Sequence, residues 1–444
     1  MTNNFNSLIK LKAILIIILT QNIFASGSDK YRIVWNKDPE TCVTIGWDQV
    51  QGENPIVYFG DEDFGDDWEK YPRSQMPTRI LADSYGMNTH FAEIENLKPD
   101  QSYYFVIKDS KGVGERYWFK TAPSKPQPFS FITGGDTKSY GKAHKAGEAS
   151  NRLVAKLRPL FVLFNGDFNS GNGTYSVRWH IWLNDWFEQT TTEDGRMIPL
   201  VPVHGNHEDG DLAVLNKIFN APYQNNDSSN IYYSLTFGNN FFHIVGLNTQ
   251  IDEGGQQRKW LENDLSKNKD VKFKIAGYHK PFHPHTASKS ENVYQYQQWT
   301  KLFYDYKLSL AVEADAHIHK ITYPLIPDSS ENSFEGFVRD DKNGTIYLGE
   351  GSWGAWPREN NDLKPWTLSS GSYNQFKWVH VYPEYMEIYT VKSAEYDDND
   401  NQTFFDYSVE SLTEENLFKI PNNITLDTLK DKSIFVRYPF QENK

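Results

Sequence analysis

From Phe129 onward the chain repeats one pattern, an apolar strand-like run that ends in Asp, Asn or His. The runs are FSFITGGD, LFVLFNGD, IPLVPVHGN, FFHIVGLN, KFKIAGYH and LSLAVEADAH. Helical stretches separate them, around 143–157, around 177–187 and in QQRKWLENDLSK. Such alternation predicts βαβ units around a buried sheet. Open α/β sheets bind ligands beyond the carboxyl ends of their strands, so the terminal residues should converge. In chain order they are Asp136, Asp167, Asn206 with His207, His279, and His317 with His319. Glycine before the carboxylates lets the backbone turn sharply and come close to an ion. His-x-His in strand geometry would turn both rings to one face. Carboxylate, amide oxygen and imidazole together suit Fe, Mn or Zn, whereas Ca²⁺ or Mg²⁺ would want mostly oxygen. A lone Gly-Asp is usually a turn and a lone histidine usually a satisfied polar group. Packing alone would not place so many metal-type donors at equivalent strand ends.

The segment from 31 to 121 reads differently. YRIVW, CVTIGW, PIVYFG, THFAEI, SYYFVIK and RYWFKT alternate apolar and polar residues between turn-rich pieces, which predicts a β-sandwich. The Pro-rich TAPSKPQP then reads as a linker. At the front, Lys10 and Lys12 precede an apolar run that Gln21 and Asn22 interrupt, with small residues at Ala25 and Ser26. That is the pattern of a secretory signal, too short for a membrane span, and places the mature protein outside the cytoplasm, secreted or periplasmic. The single cysteine, Cys42, excludes an internal disulfide. A formal net charge of −13 argues against nucleic acid or acidic membranes as partners. WHIWLNDWF has helical spacing and reads as core. The expected division is a signal at 1–26, a sandwich at 29–122, a catalytic α/β domain at 129–395 and a C-terminal extension at 396–444 without an assigned role.

The series GGDT, NGDF, GNHE, GYHKP and AHIH resembles the calcineurin-like metallophosphoesterases, and within them the purple acid phosphatases. The phrase IENLKPDQSYYFVI resembles the late strands of fibronectin type III domains. The resemblance implies a multidomain fold, an all-β fibronectin III-like sandwich followed by a four-layer α/β metallophosphoesterase domain. It implies two metal ions, Fe, Zn or Mn in unknown combination. Asp136 and His319 would hold the first, Asp167 would bridge, and Asn206, His279 and His317 would hold the second. His207 would stand beside the phosphate and protonate the leaving oxygen. The implied activity is hydrolysis of small organic phosphate monoesters by a metal-bridged hydroxide.

The sequence also departs from that pattern. Ser170 occupies the slot of the family's tyrosine in GDxxY, and Tyr175 has the wrong spacing to replace it. No tyrosinate colour is expected. Lys138 stands where the family has glycine in the first motif, and Ala316 replaces glycine in the last. Lys138, His283 and His285 are candidate substrate contacts. A phosphodiesterase or nucleotidase on the same site is the second enzyme reading. A binding protein without catalysis is the reading from another class, and the retained donor set argues against it.

Overall fold

The computed structural model describes residues 26–397 and 399–442. Residues 1–25, which carry nearly all of the expected export signal, lie outside them. No helix among the described residues is long and apolar enough to cross a membrane.

The N-terminal segment is a two-sheet sandwich. Ile56–Gly60, Ser102–Lys108, Tyr117–Lys120 and Arg73–Gln75 form one sheet of four strands. Ser28–Val34, Val43–Gln49, Met87–Ile94 and Arg79–Ser84 form the other layer. Alternate residues, among them Ile45, Trp47, Val57, Phe59, Phe105 and Ile107, fill the interior as two-residue periodicity requires.

The sandwich is followed in sequence by TAPSKPQP, which reads as a linker to a domain it is expected to pack against. The second layer of the sandwich runs directly into the central sheet of the catalytic unit. Val34 pairs in parallel with Leu200, and the Trp35 N–H donates to the Leu200 carbonyl at 3.0 Å. The resulting sheet has eleven strands. It continues through Leu200–Pro202, Phe161–Phe164 and Phe129–Gly134 to Asn374–Val381 and Met386–Tyr396.

A second, seven-stranded sheet faces it. Its central parallel strands are Phe242–Gly246, Phe273–Gly277 and Leu310–Val312. One set of alternate side chains (Phe242, Ile244, Phe273, Ile275, Leu310) packs against Phe131, Phe161 and Leu163 of the first sheet. The opposite set (Val245, Ala276, Ala311) faces Leu261, Leu265, Trp299 and Phe303.

Five α-helices cover these sheets among the described residues: α1 (Gly141–Leu157), α2 (Ser176–Thr190), α3 (Val214–Phe219), α4 (Gly255–Lys267) and α5 (Val293–Asp305). The two sheets, with helices outside them, give the expected four-layer order. Trp179, Trp182 and Trp186 of α2 are buried, and Trp182 packs on Phe164 and Phe168 beneath the Asp167 turn.

The C-terminal extension completes the fold. Gln402–Phe404 and Phe435–Tyr438 both pair with Met386–Tyr396. Glu414 reaches Arg158 at 2.9 Å and the fully buried Arg196 at 2.8 Å. Arg158 also holds Asp194 with two bonds of 2.8 and 3.0 Å. Burial raises the Asp194 carboxyl, but the bonds from Arg158 and Thr192 outweigh it and hold the carboxyl at about 2. A depressed carboxylate stabilises the fold above its unfolded pKa, and that contribution is lost as pH falls through the folded value. Asp194→Asn should therefore melt below wild type at pH 6, with the gap closing between about pH 4 and pH 2. Thermal melts across that range check it; a gap that stays constant with pH would contradict it. The half-exposed position makes the effect modest.

Candidate metal centre

Strand ends from both sheets meet at one place. Asp136 follows Phe129–Gly134, Asp167 follows Phe161–Phe164, Asn206 follows Leu200–Pro202 and His279 follows Phe273–Gly277. Donor atoms of Asp136, Asp167 and His279 all lie within 4.8 Å of one another, and all three residues are buried.

The backbone around them is unusual. Asp136 and Asp167 adopt left-handed φ of 68° and 54°, as do Asp315 and His317 at 64° and 55°. Non-glycine residues rarely take this conformation, and such outliers concentrate at functional sites. The sequence assigns the sharp turns to the glycines before the donors. Of those, Gly166 is left-handed at φ +87°, while Gly205 is needed for proximity: a Cβ there would lie 2.3 Å from the Asp167 nitrogen.

His279 is oriented by its Nδ1–H, which donates to the Asn165 carbonyl at 2.8 Å. That leaves Nε2 facing Asn206 Oδ1 at 3.1 Å, Asp167 Oδ1 at 3.2 Å and Asp315 Oδ1 at 3.6 Å. His317 repeats the arrangement, with Nδ1–H on the Trp356 carbonyl at 3.0 Å and Nε2 3.2 Å from Asp136 Oδ1. A ring nitrogen fixed by a backbone carbonyl, with the other aimed at carboxylates, is the usual outer shell of a metal-binding histidine.

His319 has different surroundings. Its Nδ1 accepts from Lys377 Nζ at 2.7 Å, and its Nε2 lies 3.3 Å from Asp427 and 3.2 Å from Ser369. Tyr373 stacks on the ring. The expectation that period-two geometry turns both histidines to one face does not apply, because His317 lies in a left-handed turn and only His319 enters the strand His319–Thr322.

His207 is half-buried at the opening. Its backbone N–H donates to Asp167 Oδ1 at 2.8 Å, its Nε2 is 3.6 Å from Asp167 Oδ2, and its Nδ1 pairs with Asn172 Oδ1 at 2.7 Å. Burial pushes its pKa below the ordinary histidine value. Lys138 is buried too, with Nζ 4.0 Å from Asp167 Oδ2. The structure seats His283 and His285 elsewhere. His283 bonds Glu291, and His285 is fully enclosed between Glu350 at 3.2 Å and Thr367 at 2.6 Å. Ser170 Oγ is buried without a hydrogen-bond partner.

The donors fit metal ions. Asp136 Oδ1 is buried and accepts no hydrogen bond. Burial would raise the Asp167 carboxyl, but His279, His207 and Lys138 hold it well below the carboxylate range. Burial would likewise lower His279, yet the carboxylates of Asp167, Asp315 and Asp136 push it well above the histidine range. So much buried negative charge calls for cations at this point.

Residues 130–320 match the family described as calcineurin-like phosphoesterase, and residues 28–121 match the purple acid phosphatase N-terminal domain. The chain thus carries a calcineurin-like phosphoesterase domain behind a purple acid phosphatase N-terminal domain. Purple acid phosphatase 15 of Arabidopsis thaliana is 25% identical over 269 residues, covering 52% of this chain and 49% of its own length. An uncharacterized protein of Mycobacterium tuberculosis is 24% identical over 326 residues, covering 63% of this chain and 60% of its own. The chain thus spans about half to three-fifths of the length of these curated relatives. Among solved structures, the purple acid phosphatase PPD1 from yellow lupin seeds superposes with a TM-score of 0.68 at 14% identity, over 85% of this chain and 74% of that one.

Glu208, in the GNHE motif, is the buttress that the sequence reading leaves unassigned. Its carboxylate accepts the backbone N–H groups of Asp167 at 2.9 Å, Phe168 at 3.0 Å and Gly205 at 2.9 Å. It thereby ties the Asp167 turn to the Asn206 turn. Glu208→Gln turns one acceptor into a donor facing an N–H, at a cost of about 1–3 kcal/mol. Denaturant unfolding should show that loss, and an unchanged midpoint would remove the buttress role.

Proposed function

We propose that the chain is a metal-dependent phosphomonoesterase acting on small organic phosphates. The observation that carries this is the convergence of Asp136, Asp167 and His279 at the strand ends of a phosphoesterase fold. Asp136 and His317 would hold one ion, Asn206 and His279 the other, with Asp167 between them. Two such ions polarise a phosphate ester and supply hydroxide near neutral pH.

The chain's own residues supply the rest. Lys138 brings a buried positive charge beside Asp167, suited to phosphate oxygens. Asn172 Oδ1 holds His207 by Nδ1–H and leaves Nε2 at the opening, so the doubly protonated ring would deliver its Nε2 proton to the leaving oxygen. With serine in place of tyrosine at position 170, no tyrosinate contributes and no purple colour is expected. The family resemblance and the signal pattern of residues 1–26 support action outside the cytoplasm.

Turnover of an alkyl phosphate monoester and of the matching diester by the metal-loaded protein tests the reading. Faster monoester hydrolysis supports it, and a dominant diesterase activity would move the assignment to phosphodiesterase. His207→Ala should slow alkyl monoester turnover by about 10²–10⁴-fold, with far less effect on an activated aryl phosphate. Equal losses on both substrates would remove the general-acid role.

A further inference from the structure

Six side chains carry metal-type donors at the strand ends of this site, and one of them, Asp315, has no part in the sequence reading. It lies in LSLAVEADAH, two residues before His317. The turn that follows Leu310–Val312 is left-handed at both Asp315 and His317, with Ala316 between them. That turn sends the two side chains to the two halves of the site. His317 Nε2 meets Asp136 Oδ1 at 3.2 Å, and Asp315 Oδ1 meets His279 Nε2 at 3.6 Å. The Asp315 backbone N–H also donates to Asp136 Oδ2 at 2.8 Å, which locks the turn onto the first strand end.

Resting on the two-metal reading above, we propose that Asp315 is a metal ligand on the His279 and Asn206 side of the centre, and that the last donor pair is Asp315 with His317 in place of His317 with His319. The Asp315 carboxyl group is buried, with Oδ1 2.5 Å from Lys289 Nζ and 3.6 Å from His279 Nε2, so it faces the same space as the His279 donor nitrogen. Both nitrogens of His319 are taken by Lys377 and by the Asp427 and Ser369 pair. Asp427 belongs to the C-terminal extension, so this sequestration is built into the chain's own fold.

The exchange has a chemical consequence. Carboxylates at Asp136, Asp167 and Asp315, an amide oxygen at Asn206 and imidazoles at His279 and His317 make an oxygen-rich, more anionic set. Oxygen donors favour Mn²⁺ and Fe²⁺ relative to a nitrogen-rich set, which suits Zn²⁺ better. Lys289, 2.5 Å from Asp315 Oδ1 on the loop before α5, is the residue whose ammonium competes for the same carboxylate.

The test is metal counting on the full chain, stripped with a chelator and reloaded separately with Mn²⁺ and Zn²⁺, with affinities taken from competition with a fluorescent chelator. Wild type and His319→Gln should each bind two ions per chain. Asp315→Asn should lose one ion or bind its second Mn²⁺ at least tenfold more weakly. Asp315→His should keep two ions while its Mn²⁺-to-Zn²⁺ preference falls at least tenfold; recovery of the second ion in this variant separates ligation from misfolding. Two ions with unchanged affinity in Asp315→Asn would overturn the inference, as would loss of an ion in His319→Gln. Fewer than two ions in wild type would overturn the two-metal reading, and this inference with it.

Discussion

The site rests on the burial of carboxylates against one another. Asp136, Asp167 and Asp315 converge on His279 in a region almost closed to water. Charges so placed repel each other and lose hydration, and only cations make the arrangement tolerable. The protein holds them there by backbone means. The strands of two facing sheets end at one level, the turns at Asp136, Asp167 and Asp315 are left-handed, and Glu208 ties the Asp167 turn to the Gly205–Asn206 turn. The aromatic layer of Phe164, Phe168 and Trp182 lies directly under the left-handed Asp167 turn.

The domains that the sequence separates are mechanically joined. The sandwich adds its strands to the central sheet at Val34 and Leu200, and the buried Arg32 of the sandwich donates to the Ile218 carbonyl of α3 at 2.6 Å. On the far edge, the C-terminal extension adds strands and contributes Asp427 to the His319 cluster. The strand ends that carry the metal donors are therefore braced from both sides.

Much of this was legible in the residues. Apolar runs ending in metal-type donors gave the strands, their order and the meeting of Asp136, Asp167, Asn206 and His279, because strand ends in an α/β sheet have few places to go. The apolar spacing of α2 correctly indicated core. The histidine pair at the last strand misled because period-two reasoning holds only inside a strand, and left-handed φ at Asp315 and His317 breaks that period. The run Glu-Ala-Asp-Ala-His also contains an aspartate that the spacing-based reading passed over. Motif spacing favoured the more familiar His-x-His. His283 and His285 looked like loop residues free to meet substrate. Their acidic partners, Glu291 and Glu350, stand 8 and 65 residues away in sequence, beyond what local pattern can show.

The most direct measurement is X-ray absorption at the metal edge of the fully loaded protein. Two ions clamped by Asp167 should give a metal–metal scattering shell at about 3.5–4 Å, lost in Asp167→Ala. Light-atom scattering alone, with the same spectrum in both proteins, would contradict a two-metal centre at these strand ends.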